Sequence, residues 1–135
     1  MEPTRNQDRH RPRIVLAEDD AEMRSLLSAV MRRDGYEVVE APDGVQLLLY
    51  LEAMSMRGDA MPRPDLLVSD IRMPGYSGLQ LVAAMREAEM DLPVILVTAF
   101  SDASTRDAAH ELDAMLLDKP IDIDDLRRFV RIMVC

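Results

Sequence analysis

The sequence predicts an α/β protein built on one doubly wound parallel sheet of five strands. Three observations carry that prediction. Short apolar runs of strand length recur along the chain, each bounded by Gly, Pro or charged residues and each too short for a buried helix. Longer segments with apolar residues at helical spacing lie between them, so strand and helix alternate throughout. The best of the short runs are continuous rather than alternating, as in strands covered by helices on both faces. With 135 residues, 48% hydrophobic and 30% charged, the chain suffices for one domain with its own core.

Residues 1 to 12, MEPTRNQDRHRP, are polar, Arg-rich and without periodicity. They are expected to form a disordered tail ahead of a domain spanning 13–135. Ile14-Val15-Leu16-Ala17 is the first strand and ends in Glu18-Asp19-Asp20. Asp20 suits the N-cap of the next helix, whose apolar positions are Met23, Leu26, Leu27, Val30 and Met31 and which Asp34-Gly35 closes. Tyr36 to Ala41 is a second, less apolar strand, expected near the sheet edge. Pro42-Asp43-Gly44 leads into a second helix with Val45, Leu48, Leu49 and Leu51 as its expected buried face. Residues 55–64, with a Gly and two Pro, are expected to be a loop of above-average length.

The third strand, Leu66-Leu67-Val68-Ser69-Asp70, lies between Pro62 and Pro64 on one side and Pro74-Gly75 on the other. A third helix begins near Ser77-Gly78 and buries Leu79, Leu81, Val82 and Met85. Val94-Ile95-Leu96-Val97 is the strongest strand and ends in Thr98-Ala99. A weakly amphipathic helix over Ala103 to Leu112 follows, then a strand over Ala114 to Leu117 ending in Asp118-Lys119-Pro120. The last helix starts near Asp122 with Leu126, Phe129, Val130 and Met133 as its stripe. For five such units the default strand order is 2-1-3-4-5, the flavodoxin-like arrangement.

Charge and composition exclude several classes. A net charge of −9 argues against non-specific nucleic-acid binding, which needs a basic surface. The single Cys, Cys135, excludes an intramolecular disulfide and points to a reducing compartment. No apolar run approaches the ~18 residues of a membrane span, and the N-terminus has no signal-peptide core. A cytoplasmic location with no membrane contact is expected. Aromatic residues are scarce, so the core must be aliphatic, with the 11 Met filling gaps.

The strand order has a chemical consequence. Open α/β sheets bind ligands outside the carboxyl ends of their strands. Strands one and three are neighbours, so Glu18, Asp19 and Asp70 converge; strand four adds Thr98 and strand five adds Lys119. Clustered carboxylates at neutral pH need solvent or a cation to remain ionised together. Mg²⁺ suits a site with few protein ligands and several waters. With that charge neutralised, Asp70 is placed as an in-line nucleophile towards phosphorus, and Lys119 and Thr98 as partners for the phosphoryl oxygens. His10 and His110 have no second metal-type ligand nearby in the sequence and are expected at the surface.

From Arg13 to its end, the chain resembles the receiver domains of two-component response regulators. The matching pieces are Val15-Leu16-Ala17-Glu18-Asp19-Asp20, Asp70-Ile71-Arg72-Met73-Pro74-Gly75, Val97-Thr98-Ala99 and Lys119-Pro120. The resemblance implies that a sensor histidine kinase phosphorylates Asp70. It implies that Asp19 and Asp70 ligate Mg²⁺ directly, with the backbone carbonyl of Arg72 as a further ligand and Glu18 acting through water. It further implies that Lys119 pairs with the phosphoryl group, that Thr98 bonds to it once attached, and that Ala99 leaves access. Lys119-Pro120 resembles the family's cis-prolyl junction. No ligand role is assigned to Asp20.

The departures bear on the switch. Receivers usually carry Tyr or Phe three positions before the lysine, where this chain has Leu116. Leu116 is either a smaller core residue or a sign that the usual aromatic relay is absent, and the second reading is preferred. Asp113-Ala114 stands where the family has Gly-Ala, and Ile121 where it has Phe. The output is a downstream protein target or, in a phosphorelay, a histidine phosphotransferase. The chain is read either as a stand-alone receiver or as the N-terminal receiver of a larger regulator, for example a DNA-binding one. An enzyme in the usual sense is not expected, since a receiver catalyses only its own phosphorylation and dephosphorylation. A Mg²⁺-dependent phosphatase with an Asp nucleophile is the distant alternative. It would want a second acid two positions on, where Arg72 cannot exchange a proton at neutral pH. A nucleotide site is disfavoured by the lack of a Gly-rich phosphate loop.

Overall fold

A computed structural model describes residues 11–57 and 63–134. Strands and helices alternate: β1 (Arg13–Ala17), α1 (Ala21–Arg33), β2 (Glu37–Ala41), α2 (Gly44–Arg57), β3 (Leu66–Asp70), α3 (Gly78–Glu87), β4 (Val94–Thr98), α4 (Ala103–Glu111), β5 (Met115–Asp118) and α5 (Ile123–Val134). The five strands are all parallel, in the order β2-β1-β3-β4-β5. Both the fold class and the strand order match the sequence expectation.

Side-chain alternation builds two cores from one sheet. Val15, Ala17, Leu67, Val94 and Leu96 face Leu47 and Leu51 of α2, Leu81, Val82 and Met85 of α3, and Ala109 of α4. Ile14, Leu16, Leu66, Val68, Ile95 and Val97 face Leu27 and Met31 of α1 and Leu126 and Val130 of α5. β3 and β4 are buried along their whole length, whereas the edge strand β2 is mostly half-buried. That is why β1, β3 and β4 read as continuous apolar runs while β2 does not.

Side-chain caps set the helix starts. Asp20 accepts from the N–H groups of Glu22 and Met23, and Ser77 and Gln80 form a reciprocal capping box at α3. Asp43, Asp102 and Asp122 accept from the backbone N–H three residues on. The N-cap role expected of Asp20 is therefore met.

Several local expectations need correction. The buried face of α2 is Leu47, Leu51 and Met54, while Val45 and Leu49 are 43% and 51% exposed. Consecutive leucines at 47, 48 and 49 hide the helical phase, and only contact with the sheet selects it. Leu26 of α1 is likewise exposed, and Ser28 is buried beside Leu27. The helix α2 runs on through Ser55-Met56-Arg57, so the expected loop at 55–64 starts later; 58–62 lie outside the described residues. β5 is shifted by one residue, to Met115–Asp118. The turn after α4 needs no glycine, because Asp113 itself takes a positive φ of 56°. Of the tail, residues 1–10 lie outside the described set, and the Pro12 carbonyl accepts from Glu37 N–H at 3.0 Å. No helix among the described residues is long and apolar enough to cross a membrane.

Candidate functional site

Strand register assembles the site. Ala17 of β1 pairs with Ser69 of β3, so the next residues, Glu18 and Asp70, stand side by side at the rim. Asp70 pairs with Val97 and Thr98 with Asp118, which brings Thr98 and then Lys119 to the same edge. The Lys119 N–H donates to the Thr98 carbonyl at 2.8 Å, and the Lys119–Pro120 peptide is cis, as the resemblance implied.

Carboxylate oxygens of Glu18, Asp19 and Asp70 all lie within 4.8 Å of one another. Glu18 and Asp70 are buried, while Asp19 faces solvent. Three carboxylates at one sheet edge form an all-oxygen donor set, which suits a hard divalent cation. Lys119 Nζ donates to Asp70 Oδ2 at 2.9 Å and lies 3.3 Å from Glu18 Oε1. One ammonium thus bridges both buried acids.

The electrostatics follow from this crowding. Burial pushes the Glu18 carboxyl above the usual carboxylate range, and the Asp70 charge adds to that; the Asp20 N–H and Lys119 pull the other way. Burial alone would lower Lys119, but its bonds and charge interactions with Asp70 and Glu18 outweigh it and raise the ammonium's pKa. Lys119 therefore stays cationic at neutral pH.

Thr98 is buried, and its hydroxyl turns into its own loop. It accepts from the Phe100 N–H at 3.1 Å and donates to the Phe100 carbonyl at 3.2 Å. The Arg72 side chain leaves the acidic cluster and places its guanidinium 5.1 Å from the centre of the Phe100 ring. Leu116 packs, half-buried, against the core under α2, α3 and α4. Ile121 joins the opposite core, and His110 is exposed on α4. His10 lies outside the described residues.

Sequence reasoning missed Arg24. Its Nη1 donates to the Glu18 carbonyl at 2.9 Å, its Nε to Glu40 at 3.3 Å, and Glu40 in turn accepts from Ser28 at 3.0 Å. The acidic loop is thereby tied to α1 and β2. The available signal was an arginine one turn into the helix that follows the strand-end acids.

The chain matches the response regulator receiver domain family over residues 14–131. It is 29% identical over 120 residues to sporulation initiation phosphotransferase F of Bacillus subtilis, covering 88% of this chain and 90% of that protein. It is 33% identical over 127 residues to the transcriptional regulatory protein PdtaR of Mycobacterium tuberculosis, covering 92% of this chain but only 58% of that protein. Among solved structures, the response regulator protein TrrA of Thermotoga maritima, in complex with Mg²⁺-BeF, superposes with a TM-score of 0.75 at 28% identity, covering 90% of this chain and 98% of that one. The acidic edge lies where the strand order put it, and the family match spans nearly the whole described chain. The chain belongs to the receiver domains of two-component response regulators.

Proposed function

We propose that Asp70 accepts a phosphoryl group from the phosphohistidine of a sensor histidine kinase in a Mg²⁺-dependent reaction, and that the phosphorylated chain signals through altered protein–protein contacts. The observation that carries this reading is the 2.9 Å bond from Lys119 Nζ to Asp70 Oδ2 inside the carboxylate cluster. A buried carboxylate with a fixed cation on one oxygen is positioned for in-line attack on phosphorus. An Asp70 oxygen forms the new bond to phosphorus as the bond to the donor's imidazole nitrogen breaks. The imidazole leaves with that electron pair and takes a proton from solvent.

The carboxylate donor set fits Mg²⁺; Asp19 and Asp70 would hold it directly, Glu18 would act through water, and the Arg72 carbonyl would be a further ligand. Bound there, the ion neutralises the acids and the developing charge on the phosphoryl oxygens. The solved Mg²⁺-BeF complex of TrrA supports that choice of ion. Lys119 then turns from pairing two carboxylates to pairing the phosphoryl group. Thr98 gives it a hydrogen bond by releasing the Phe100 carbonyl. The cytoplasm is the compartment in which a kinase-fed receiver of this kind would act.

Intact mass after incubation with Mg²⁺ and acetyl phosphate tests the reading. One added phosphoryl group is expected in wild type, and none in Asp70→Asn or in excess chelator. An adduct that persists in Asp70→Asn would reject Asp70 as the acceptor.

A phosphorelay role is the second reading, favoured by similarity to a sporulation phosphotransferase at nearly full length and by Leu116 in the usual aromatic position. It requires that phosphorylated chain lose its label to a histidine phosphotransfer domain faster than to water. Equal rates of loss with and without that domain exclude it.

A further inference from the structure

The exposed face of this site carries an aromatic contact that the phosphoacceptor reading does not use. Phe100 is 63% exposed, yet its ring is paired with the Arg72 guanidinium at 5.1 Å. Arg72 sits two residues after the acceptor Asp70, and Phe100 two residues after Thr98. The contact therefore bridges the loops that leave the carboxyl ends of β3 and β4. Both backbone groups of Phe100 are also bound to the Thr98 hydroxyl.

Those bonds compete with phosphorylation. A threonine hydroxyl has one proton, and here it is given to the Phe100 carbonyl. To donate to a phosphoryl oxygen on Asp70, Thr98 must withdraw that proton, and the 98–100 turn loses the bond that closes it. Phe100 is then no longer held where Arg72 covers it. Leu116, half-buried in the core, has no ring with which to report the same event.

We infer that Phe100 is the phosphorylation-responsive aromatic of this chain, docked against Arg72 while Thr98 faces its own loop and released when Thr98 turns to the phosphoryl group. The inference rests on the phosphoacceptor reading and adds a specific readout to it. Release frees a large apolar side chain beside the acceptor, where a partner selective for the phosphorylated form can take it up. It also frees the Arg72 guanidinium. The Arg72 side chain and Phe100 act through the loops that carry them and are positioning groups, not catalytic ones.

The chain has no Trp, so Phe100→Trp supplies a single fluorophore at the exposed position and keeps the cation–π contact. Acrylamide quenching is measured with and without Mg²⁺ and beryllofluoride, and fluorine NMR reports whether beryllofluoride is bound. The quenching constant is expected to rise about two-fold on activation, the scale on which an exposed cation–π contact shifts a population. In Phe100→Trp with Thr98→Ala, at beryllofluoride concentrations raised until fluorine NMR shows it bound, that rise is expected to be absent. In Phe100→Trp with Arg72→Met, the constant is expected to start near the activated value. Bound beryllofluoride with unchanged or reduced quenching overturns the inference and leaves the acceptor reading standing, as does an equal rise in the Thr98→Ala background. Absence of bound beryllofluoride overturns both.

Discussion

Lys119 Nζ bonds to Asp70 Oδ2 at 2.9 Å across 49 positions of sequence, and the same ammonium lies 3.3 Å from Glu18 Oε1. The lysine is thus an internal counter-ion for two buried acids before any phosphoryl group arrives. It holds the carboxylates together and leaves their other oxygens for any cation they would share.

Lys119→Ala separates those roles. Removing a positive charge beside the acids should leave Mg²⁺ affinity unchanged or tighter by up to about ten-fold, since the cation no longer competes with an ammonium. Phosphorylation or beryllofluoride should then produce little change in backbone amide exchange. Titration calorimetry reads the first effect and hydrogen exchange the second. Complete loss of metal binding would contradict the division of roles.

Gly78 supports Asp70 from behind. A Cβ there would come 2.5 Å from the Asp70 carbonyl oxygen and 3.0 Å from Ser69 Oγ, and the carbonyl belongs to backbone that cannot swing aside. Gly78→Ala should cost about 1–3 kcal/mol, the usual range for overpacking, and should slow phosphorylation because the displaced segment carries Asp70. Urea unfolding and the acetyl phosphate reaction check the two effects. Wild-type values in both would show that the segment yields freely.

Arg86 ties together three chain segments on the other face. Its guanidinium donates to the carbonyls of Leu112 at 2.9 Å, Met90 at 3.0 Å and Leu92 at 2.8 Å. These close the turns after α3 and α4, including the one in which Asp113 replaces the family's glycine. Arg86→Met keeps the aliphatic stem but orphans the carbonyls. A loss of about 2–3 kcal/mol is expected, with phosphorylation by acetyl phosphate unchanged. A loss confined to a few tenths of a kcal/mol would mean that water replaces the guanidinium.

Arg127 on α5 pairs with Asp34 at the end of α1, Nε to Oδ2 at 2.9 Å and Nη2 to Oδ1 at 3.1 Å. The hydrogen bond from Arg127 holds the Asp34 carboxyl below its usual range, its charge assisting and burial opposing. A carboxyl lowered in the folded chain contributes stability above its unfolded pKa of about 3.9, and loses it as pH falls through the lower folded value. The stability gap between wild type and Arg127→Gln should therefore be steady from pH 7 to about pH 5 and shrink on further acidification. Urea titrations across that range measure it. A gap that widens in acid would reverse the assigned sign.

Much of this protein was legible in the sequence. The continuous runs at Ile14–Ala17, Leu66–Val68 and Val94–Val97 are buried strands because helices cover both faces of the sheet. Strand order then placed the acids of β1 and β3 together. Spacing could not phase α2, because its leucines are consecutive and only the sheet chooses Leu47 over Leu49. It could not foresee that Asp113 would adopt the left-handed turn in place of a glycine, since the backbone bonds that close that turn, Asp113 N–H to the His110 carbonyl and Ala114 N–H to the Ala109 carbonyl, leave no mark on hydrophobic periodicity.

By itself, the sequence determined which residues stand at the strand ends: they follow from where apolar runs stop, and that is local information. Tertiary structure alone decided what those residues touch. The lysine shared between Asp70 and Glu18, the Arg24 link to Glu40, and the Phe100 ring beside Arg72 each join segments distant in sequence. Such contacts depend on strand register and loop geometry, to which hydrophobic periodicity is blind, because it records which face a residue takes and not which neighbour it meets.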